Sequence, residues 1–514
     1  MFSKFSLLVP ALFSKSKASD APPKQGAEAG VRDASDIITL SLISHTNAGK
    51  TTLARTLLRQ DVGEVRDAPH VTLFNESYTL LETGGFMMRL WDTPGFGDSG
   101  RLMKRLKRER NPVLWFLSQT WDRITDRPLW CSQQALKNVR DEADVVLYLV
   151  NATEPPEAAG YIGPEMEILG WVGKPVVVLL NQTGTPGSSE MERVELDAWR
   201  AHLKQFEAVR AVLTLDAFAR CWVQEDTLME SLAPLMEGSK IPTFQQIKKA
   251  WTQRNIGVFR DSIRLLSEQL TAALLDGVDV RAETLLERVG WQREELNREY
   301  NDARQKLASQ MADRVEQTTN KLIEAHGLKG AAGHEVSQVA REHFHQPQAV
   351  SESIWGVLGS FAGGAMGGLI ADLKLGGMTF GGGALLGGLA SGIGAYALIR
   401  SYNLVRGSDQ RLRWSREHFR EQVRLALLAY LAICHFGRGR GEWQESEQPQ
   451  HWHETVDAVI NEHDDAVDHL WKSGVQKEAM PAVLFRQTHQ LVGDCMTALL
   501  ERLYPGVETS AWRS

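Results

Sequence analysis

A continuous run of β-branched and leucine residues, 37–43, leads directly into the sequence S-H-T-N-A-G-K-T-T at residues 44–52. Such a run is typical of a strand buried on both faces, and a helical pattern follows it. A tight turn between a strand and a helix directs backbone N–H groups and the helix N-terminus at an anion. This context predicts a phosphate-binding loop in a domain of alternating strands and helices.

Each residue type in the loop has a predicted role. Gly49 lets the backbone approach a phosphate closely, Lys50 reaches the β- and γ-phosphates, and Thr51 offers its hydroxyl to Mg²⁺. Ser44 replaces the first glycine of the usual G-x-x-x-x-G-K-[ST] pattern. The predicted nucleotide-contacting set of the loop is Ser44, His45, Thr46, Asn47, Ala48, Gly49, Lys50, Thr51 and Thr52.

A second motif, D-T-P-G, follows a predicted strand at residues 86–93. Asp92 can support Mg²⁺ through water, and the N–H of Gly95 can sense the γ-phosphate and so couple a switch loop to nucleotide state. Thr72, between the two motifs, is the best candidate for the switch threonine that closes over Mg²⁺. Thr79 and Thr83 are the alternatives.

Three further apolar runs, at residues 145–150, 175–180 and 211–217, predict buried strands. The fold class is therefore an α/β domain with a mostly parallel sheet and helices on both faces, at residues 36–240. Residues 1–35 are a predicted tail and linker. Residues 241–514 are predicted to be mainly α-helical, without strands, with helices at 244–275, 281–326, 409–435 and from 451 onward.

An apolar stripe in the second of these helices has helical spacing and contains Leu296, Tyr300, Ala303, Leu307 and Met311. It predicts either a helix packed within its own domain or an intermolecular coil.

Residues 354–399 form the most unusual stretch, with two glycine-rich apolar arms around a short segment that carries Asp372 and Lys374. Glycines four positions apart let helices approach closely in lipid, and each arm approaches the length that crosses a bilayer. Three interpretations remain open: a membrane-inserting hairpin, a glycine-zipper hairpin inside the helical domain, and a flexible loop.

Composition limits the remaining classes. The formal net charge of −7 argues against a chain that mainly coats nucleic acid. The four cysteines, Cys131, Cys221, Cys434 and Cys495, have no metal-ligand spacing and predict reduced core residues of a cytosolic protein. The histidine pairs at 343–345 and 451–453 lack a second ligand cluster and do not predict a metal site.

The N-terminal 17 residues resemble a weak signal peptide, but Pro10 interrupts the apolar run. Nucleoside triphosphates are scarce outside the cytoplasm, so we expect a frayed tail or a membrane-surface anchor, and a cytoplasmic protein.

The motifs T-N-A-G-K-T-T-L, D-T-P-G-F and L-L-N-Q resemble the Era/TrmE-like P-loop GTPases of the translation-factor-related class. Within that class the chain resembles bacterial GTPases with a long C-terminal helical domain of unknown function. The resemblance implies GTP hydrolysis with Mg²⁺, in which Asn47 helps to hold K⁺ beside the transferring phosphate. It makes Lys50, Thr72 and Asn47 the catalytic set.

The resemblance has two departures. Phe96 follows Gly95 and cannot hydrogen-bond a water, which implies slow turnover unless potassium, a homodimer or another partner completes the site. The base-reading tetrad is N-Q-T-G, in which Asn181 and Gln182 are the predicted base contacts and Gly184 lacks the carboxylate that reads guanine. GTP, relaxed base specificity and ATP therefore all stay open, and residues 215–217 are a candidate last base-contacting loop.

Residues 101–110 contain many arginines and lysines just after the second motif. They predict a contact with RNA, anionic headgroups or a partner, or simply a solvated basic helix. The sequence thus favours a guanine-nucleotide switch whose helical domain acts at a membrane, at the cytoplasmic face of the inner membrane, or in a protein assembly. The alternatives are a ribosome- or RNA-associated assembly GTPase and a nucleotide-binding scaffold without hydrolysis.

Overall fold

The computed structural model describes residues 33–45, 48–59, 75–97, 99–118, 127–181, 189–215, 221–280, 293–328, 404–406, 411–436, 450–476, 480–509 and 512. Several predictions lie outside these residues: the roles of Thr46, Asn47, Thr72, Gln182 and Gly184, the tail before residue 33, and the glycine-rich stretch 354–399.

The N-terminal part is built around a six-stranded sheet with the order β2-β3-β1-β4-β5-β6. β2 pairs antiparallel with β3, and the other neighbours are parallel. Its strands are β1 (Ile37–Ser44), β2 (Glu76–Thr83), β3 (Phe86–Asp92), β4 (Val145–Asn151), β5 (Val176–Asn181) and β6 (Val209–Thr214). The predicted fold class, a mostly parallel sheet followed by a helical region, is confirmed.

Helices cover both faces of this sheet, as the two-sided burial of its central strands requires. One face is packed by α2 (Ser99–Leu106), α3 (Pro112–Ser118), α4 (Arg127–Asp141), α5 (Ile162–Val172) and α6 (Ser189–Leu203). The other face is packed by α1 (Lys50–Leu58), α7 (Trp222–Leu232) and the first half of α8 (Lys240–Leu275). The phosphate loop therefore lies at the carboxyl end of β1, between the two layers.

The second half of α8 is the centre of a helical region. Around it pack α9 (Arg293–Ala325), α10 (Arg416–Cys434), α11 (Gln450–Glu462), α12 (Asp464–Val475) and α13 (Pro481–Leu503). α8 alone has 36 residues and contributes side chains to the cores of both parts. Among the residues described, no helix combines the length and apolar character that a membrane crossing requires.

Two features of the fold correct the sequence prediction. The helical part contains a three-stranded sheet of β7 (Val278–Asp279), β8 (Leu404–Arg406) and β9 (Arg411–Trp414), in the order β7-β9-β8. The prediction of no strand after residue 240 is therefore wrong, and β9 occupies the start of the helix predicted at 409–435. Strands of two to four residues give no periodic signal, and here their partners are distant in sequence.

The apolar stripe of α9 packs inside the molecule. Ala303, Leu307 and Met311 are buried against a small core that includes Leu412 and Trp414 of β9. For these three residues the intramolecular interpretation of the stripe is correct, because their side chains are already covered by the chain's own sheet.

Candidate nucleotide-binding site

The turn from β1 to α1 has the backbone geometry that a phosphate loop needs. Gly49 is the N-cap of α1 and has φ of 87°, in the left-handed region that favours glycine. α1 then begins at Lys50, so the first N–H groups of the helix open toward the turn. Anions are stabilised at such a helix end by these N–H groups and by the helix dipole.

Lys50 lies under the loop and not in solvent. Its side chain is buried and donates a hydrogen bond of 3.0 Å to Oγ of Ser44. Burial lowers the pKa of the Lys50 ammonium, against the opposing effect of the Asp92 and Glu165 carboxylates. An anionic ligand would stabilise a desolvated ammonium of this kind. Without a ligand, the hydroxyl of Ser44, which stands in place of the usual glycine, accepts the hydrogen bond from Lys50.

Thr51 and Asp92 come together on the metal side of the site. The Thr51 hydroxyl donates a hydrogen bond of 2.5 Å to Oδ2 of Asp92, which lies at the end of β3. The other carboxylate oxygen, Oδ1, is buried and accepts no hydrogen bond from the part of the chain that the structure describes. Burial raises the pKa of Asp92 to about 6, although Lys50 and Thr51 act to lower it. An orphaned buried carboxylate oxygen beside a threonine hydroxyl fits a hard cation such as Mg²⁺.

The D-T-P-G turn is fastened to β1. Thr93 Oγ1 donates a hydrogen bond of 2.6 Å to the carbonyl of Leu42, and the N–H of Phe96 donates one of 2.8 Å to the carbonyl of Ser44. A Cβ on Gly95 would lie 3.0 Å from Lys50 Nζ and 3.3 Å from the carbonyl oxygens of His45 and Ser44. A larger side chain at residue 95 would therefore require Lys50 or the backbone of this turn to move.

The side chain of Phe96 is fully buried in the core beneath the loop. This position agrees with the sequence argument that Phe96 does not orient a water. Thr79 and Thr83, the alternatives to Thr72, lie on β2, and Thr79 Oγ1 contacts the sulfur of Met87 at 3.8 Å. Neither is on a loop, which leaves Thr72 as the remaining prediction.

Asn181 ends β5 and has a structural role. Its Nδ2 donates a hydrogen bond of 2.7 Å to the carbonyl of Ala48, and its side chain is buried. The asparagine of the base motif therefore fixes the phosphate loop. Leu215, the first residue of the predicted last base loop, is buried in the core and continues the pairing with β5 through Leu180. Its side chain is thus a core residue, while 216 and 217 lie outside the described residues.

Sequence reasoning missed a cluster behind the loop. His45 Nδ1 lies 2.7 Å from Glu165 Oε1, although the two residues are 120 positions apart. Tyr148 donates a hydrogen bond of 2.5 Å to the other oxygen of this fully buried carboxylate, and the His45 ring stacks on Tyr161 with centroids 4.4 Å apart. Burial and the Glu165 charge raise the pKa of Tyr148 well above its usual value. No local spacing could have revealed these contacts, which come from β4 and α5.

Comparisons with known families agree with this geometry. Residues 39–182 match the family described as 50S ribosome-binding GTPase, and this region is a GTP-binding P-loop GTPase domain. Residues 200–480, more than half of the 514-residue chain, match the family described as domain of unknown function DUF3482. The chain belongs to the DUF3482 family.

Solved structures resemble the DUF3482 protein only in part. An Era variant from Aquifex aeolicus bound to GDP·AlF4⁻ is 18% identical over 39% of this chain and 57% of its own, with a TM-score of 0.28. Era in complex with MgGDPNP and a 16S ribosomal RNA fragment is 17% identical over 39% and 58%, with a TM-score of 0.29.

Toc33 from Arabidopsis thaliana in complex with GDP and Mg²⁺ is 17% identical over 36% of this chain and 73% of its own, with a TM-score of 0.22. The DUF3482 protein thus spans less than three fifths of the two Era chains. A search of curated proteins found no significant match.

The two matched regions of the DUF3482 protein meet at Arg59, the C-cap of α1. Its guanidinium donates a hydrogen bond of 2.7 Å to Oδ1 of Asn255 and lies 3.8 Å from Glu225. Asn255, fully buried on α8, in turn donates to Glu225 and Asp226 at the start of α7. A Cβ on Gly327, just past α9, would lie 3.5 Å from Arg59 Cβ. The helix that begins at the phosphates therefore ends against three helices of the second region.

Proposed function

We propose that the protein hydrolyses GTP with Mg²⁺ and that nucleotide state is passed through α1 to the helical region. The observation that carries this proposal is the meeting of Lys50, Thr51 and Asp92 at one point, with the buried Oδ1 of Asp92 left for a cation. When bound, Mg²⁺ would neutralise charge on the β- and γ-phosphates.

The residues have separate roles in this proposal. Lys50 would hold the phosphates, Thr51 would offer its hydroxyl to the metal, and Asp92 would support the metal. Gly95 offers its N–H to the γ-phosphate, in a turn that any larger side chain would push into Lys50. Asn47 as a potassium ligand remains a prediction from the resemblance, and Thr72 as the switch threonine remains a prediction from its position between the two motifs.

Coupling to the helical region rests on Arg59. α1 has nine residues between Lys50 and Leu58, so it is too short to absorb a displacement at its start by bending. A shift of the phosphate end would therefore move Arg59 against Asn255 and Glu225, which are both fully buried. This arrangement supports a switch whose output is mechanical.

For the output we propose attachment of the helical region to a membrane or a protein assembly at the cytoplasmic face of a bacterial inner membrane. The support is the glycine-rich apolar stretch 354–399. The second candidate, a ribosome- or RNA-associated GTPase, draws support from α2, whose Leu102, Met103 and Leu106 are buried while Arg101 and Lys104 face solvent. A basic helix that only faces solvent has the same arrangement of residues, so an experiment has to distinguish it from an RNA-binding helix.

Phosphate release from GTP and from ATP, in potassium and in sodium, tests the enzymatic proposal with wild type and Lys50→Ala. Lys472→Ala is the matched control, because Lys472 is exposed and pairs with Asp468 on α12. We expect GTP turnover that requires Lys50, is faster in potassium and is unchanged in the control. Tight nucleotide binding without phosphate release in either salt would favour a scaffold instead. Turnover that survives in Lys50→Ala would contradict the site.

Localisation of two variants separates the outputs. Deletion of residues 354–399 should release the protein from the membrane fraction, whereas Arg101→Glu with Lys104→Glu should leave it there. The reverse result, with loss of ribosome co-sedimentation in the charge-reversed variant, would favour the RNA-associated function.

A further inference from the structure

Two cysteines that are far apart in the sequence meet a histidine between the two regions of the chain. Cys221 is the N-cap of α7, Cys434 is the last residue of α10, and His435 is the C-cap of α10. One ligand atom from each lies within 4.8 Å of the others, and all three side chains are buried. The sequence predicted four isolated cysteines in the core. All four are buried, but Cys221 and Cys434 are not isolated from each other.

We propose that Cys221, Cys434 and His435 form a zinc site that fastens α7 to α10. Two thiolates and an imidazole nitrogen are the ligand types that zinc prefers. Cys434 Sγ is 3.2 Å from His435 Nδ1, a separation that two ligands of one tetrahedral zinc ion can share after small side-chain adjustment. The proposal does not depend on the nucleotide chemistry, because none of the three residues lies in the phosphate site.

One of the two helix ends at the cluster favours a thiolate. Cys221 is at the N-terminal end of the 11-residue α7, where a helix dipole stabilises a thiolate. Cys434 and His435 are at the C-terminal end of the 19-residue α10, where the dipole stabilises a cation but disfavours a free thiolate. The Cys434 thiolate would therefore depend on the metal for its stabilisation.

Hydrogen bonds hold His435 in place in the metal-free chain. Nε2 lies 2.6 Å from the hydroxyl of Tyr504, and Nδ1 donates a hydrogen bond of 2.8 Å to the carbonyl of Leu431. To bind zinc through Nδ1 the ring has to turn away from Leu431 and give up this bond, and the proton then sits on Nε2, where Tyr504 can accept it. Tyr430, beside the cluster, accepts a hydrogen bond of 3.2 Å from Trp222 Nε1.

Charge balance suits the apolar surroundings. Each thiol releases one proton to solvent as it binds, so one Zn²⁺ and two thiolates leave the site with no net charge. A neutral cluster is tolerated in the core that contains Trp222, Phe259 and Tyr430.

Elemental analysis of the full-length protein, purified without chelator and then incubated with Zn²⁺ under reducing conditions, tests the site. We expect about one zinc per chain in wild type and none in Cys434→Ser or Cys221→Ser. Cys131→Ser and Cys495→Ser are matched controls, since both cysteines are buried elsewhere, and they should retain the metal.

Cobalt substitution of the wild type gives a readout that needs no variant to fold. Thiolate-to-cobalt charge-transfer absorption should appear, and His435→Gln should weaken it while keeping the two thiolates. Three results would overturn the proposal: no metal uptake by the reduced wild type, uptake that persists in Cys434→Ser, and a Cys221–Cys434 disulfide in protein kept free of added oxidant.

Discussion

The guanidinium of Arg59 donates a hydrogen bond of 2.7 Å to Oδ1 of Asn255, and this bond joins the end of α1 to the middle of α8. Arg59 is the residue after the phosphate-loop helix and has φ of 56°, an uncommon value for a residue other than glycine. Asn255 also donates to Asp226, whose pKa burial raises to about 6. The contact therefore links the two regions through Asn255, which is fully buried.

Removal of this contact should lower stability and weaken coupling. Arg59→Met leaves Asn255 Oδ1 buried without that donor, so we expect a loss of about 1–3 kcal/mol in the free energy of unfolding, measured in urea. Arg264→Met on α8, the helix of Asn255, is the control, because Arg264 pairs with the exposed Glu268. This change should lower the free energy of unfolding by about 0.5 kcal/mol or less. Equal losses of stability in the two variants would show that the Arg59–Asn255 hydrogen bond contributes no more than an exposed ion pair.

Asp92 predicts a pH dependence of metal binding. Its pKa in the folded, metal-free protein is about 6, because burial disfavours the charged form. Below that pH a proton must leave before Mg²⁺ binds, so the affinity of the nucleotide complex for Mg²⁺ should fall by about tenfold per pH unit, and above it the affinity should level off. Calorimetric titration at several pH values measures this slope. Asp92→Asn should bind Mg²⁺ weakly with no such slope, and a wild-type profile that is flat from pH 5 to 8 would contradict the assignment.

The same raised pKa determines a stability trend without metal. The folded-state pKa of Asp92 lies above the ordinary value of 3.8. The contribution of Asp92 to the free energy of unfolding is therefore greatest at low pH and is lost as the pH rises through about 6. Added Mg²⁺ and nucleotide should therefore raise the melting temperature more at pH 7.5 than at pH 5. Asp92→Asn should remove that difference, as differential scanning fluorimetry can show.

Gly95 should not tolerate alanine. The new Cβ would lie 3.0 Å from Lys50 Nζ and 3.3 Å from two backbone oxygens, so Lys50 or the turn has to move. We expect the affinity for a non-hydrolysable triphosphate to fall by about tenfold or more, equivalent to about 1.4 kcal/mol, with a smaller effect on GDP. Gly170→Ala in α5 has open space around it and serves as the control. Equal losses for the two nucleotides would mean that Gly95 does not sense the γ-phosphate.

His45→Ala should destabilise the phosphate loop. It removes one of the two partners that contact the buried Glu165 carboxylate, so we expect a loss of about 1–3 kcal/mol in the free energy of unfolding. His469→Ala is a matched control on an exposed face of α12, and its stability should stay near that of wild type. If Glu165→Gln in the His45→Ala background restores much of the loss, the cost comes from the unpaired charge.

Base specificity should respond to the tetrad at the end of β5. Gly184 has no carboxylate, so Gly184→Asp combined with Gln182→Lys should increase discrimination between GTP and ATP by about tenfold or more. Competition of ATP against labelled GTP measures the ratio for both proteins. An unchanged ratio would show that guanine is read elsewhere, by groups outside this tetrad.

The central strands were predictable because burial is continuous along them. Apolar runs predicted β1, β4 and β5, since strands covered on both faces admit almost no polar residue. β3 and β6 are only partly buried, and shorter stretches of apolar residues predicted them. β2 was missed because this edge strand, E-S-Y-T-L-L-E-T, is partly exposed and carries an irregularity between Thr79 and Leu81. The three-stranded sheet was missed because its pairs depend on contacts distant in sequence.

The candidate site divides in the same way. Lys50, Thr51, Asp92 and Gly95 came from motifs, because a phosphate and a metal require those groups at a fixed local spacing. The sequence motifs did not predict the pairing of His45 with Glu165 or the hydrogen bond from Asn181 to Ala48, because each joins a loop residue to a distant strand or helix. The meeting of Cys221 with Cys434 has the same cause.

α8 contributes to two hydrophobic cores at once. Phe244, Ile247 and Trp251 pack on the face of the six-stranded sheet that α1 and α7 also cover, whereas Leu266 and Leu270 lie in the core of the helical region about 30 Å further along the helix. A GTPase part transferred without α8 would therefore leave one face of its own sheet uncovered, so a boundary between the two parts cannot be drawn before this helix without exposing apolar surface.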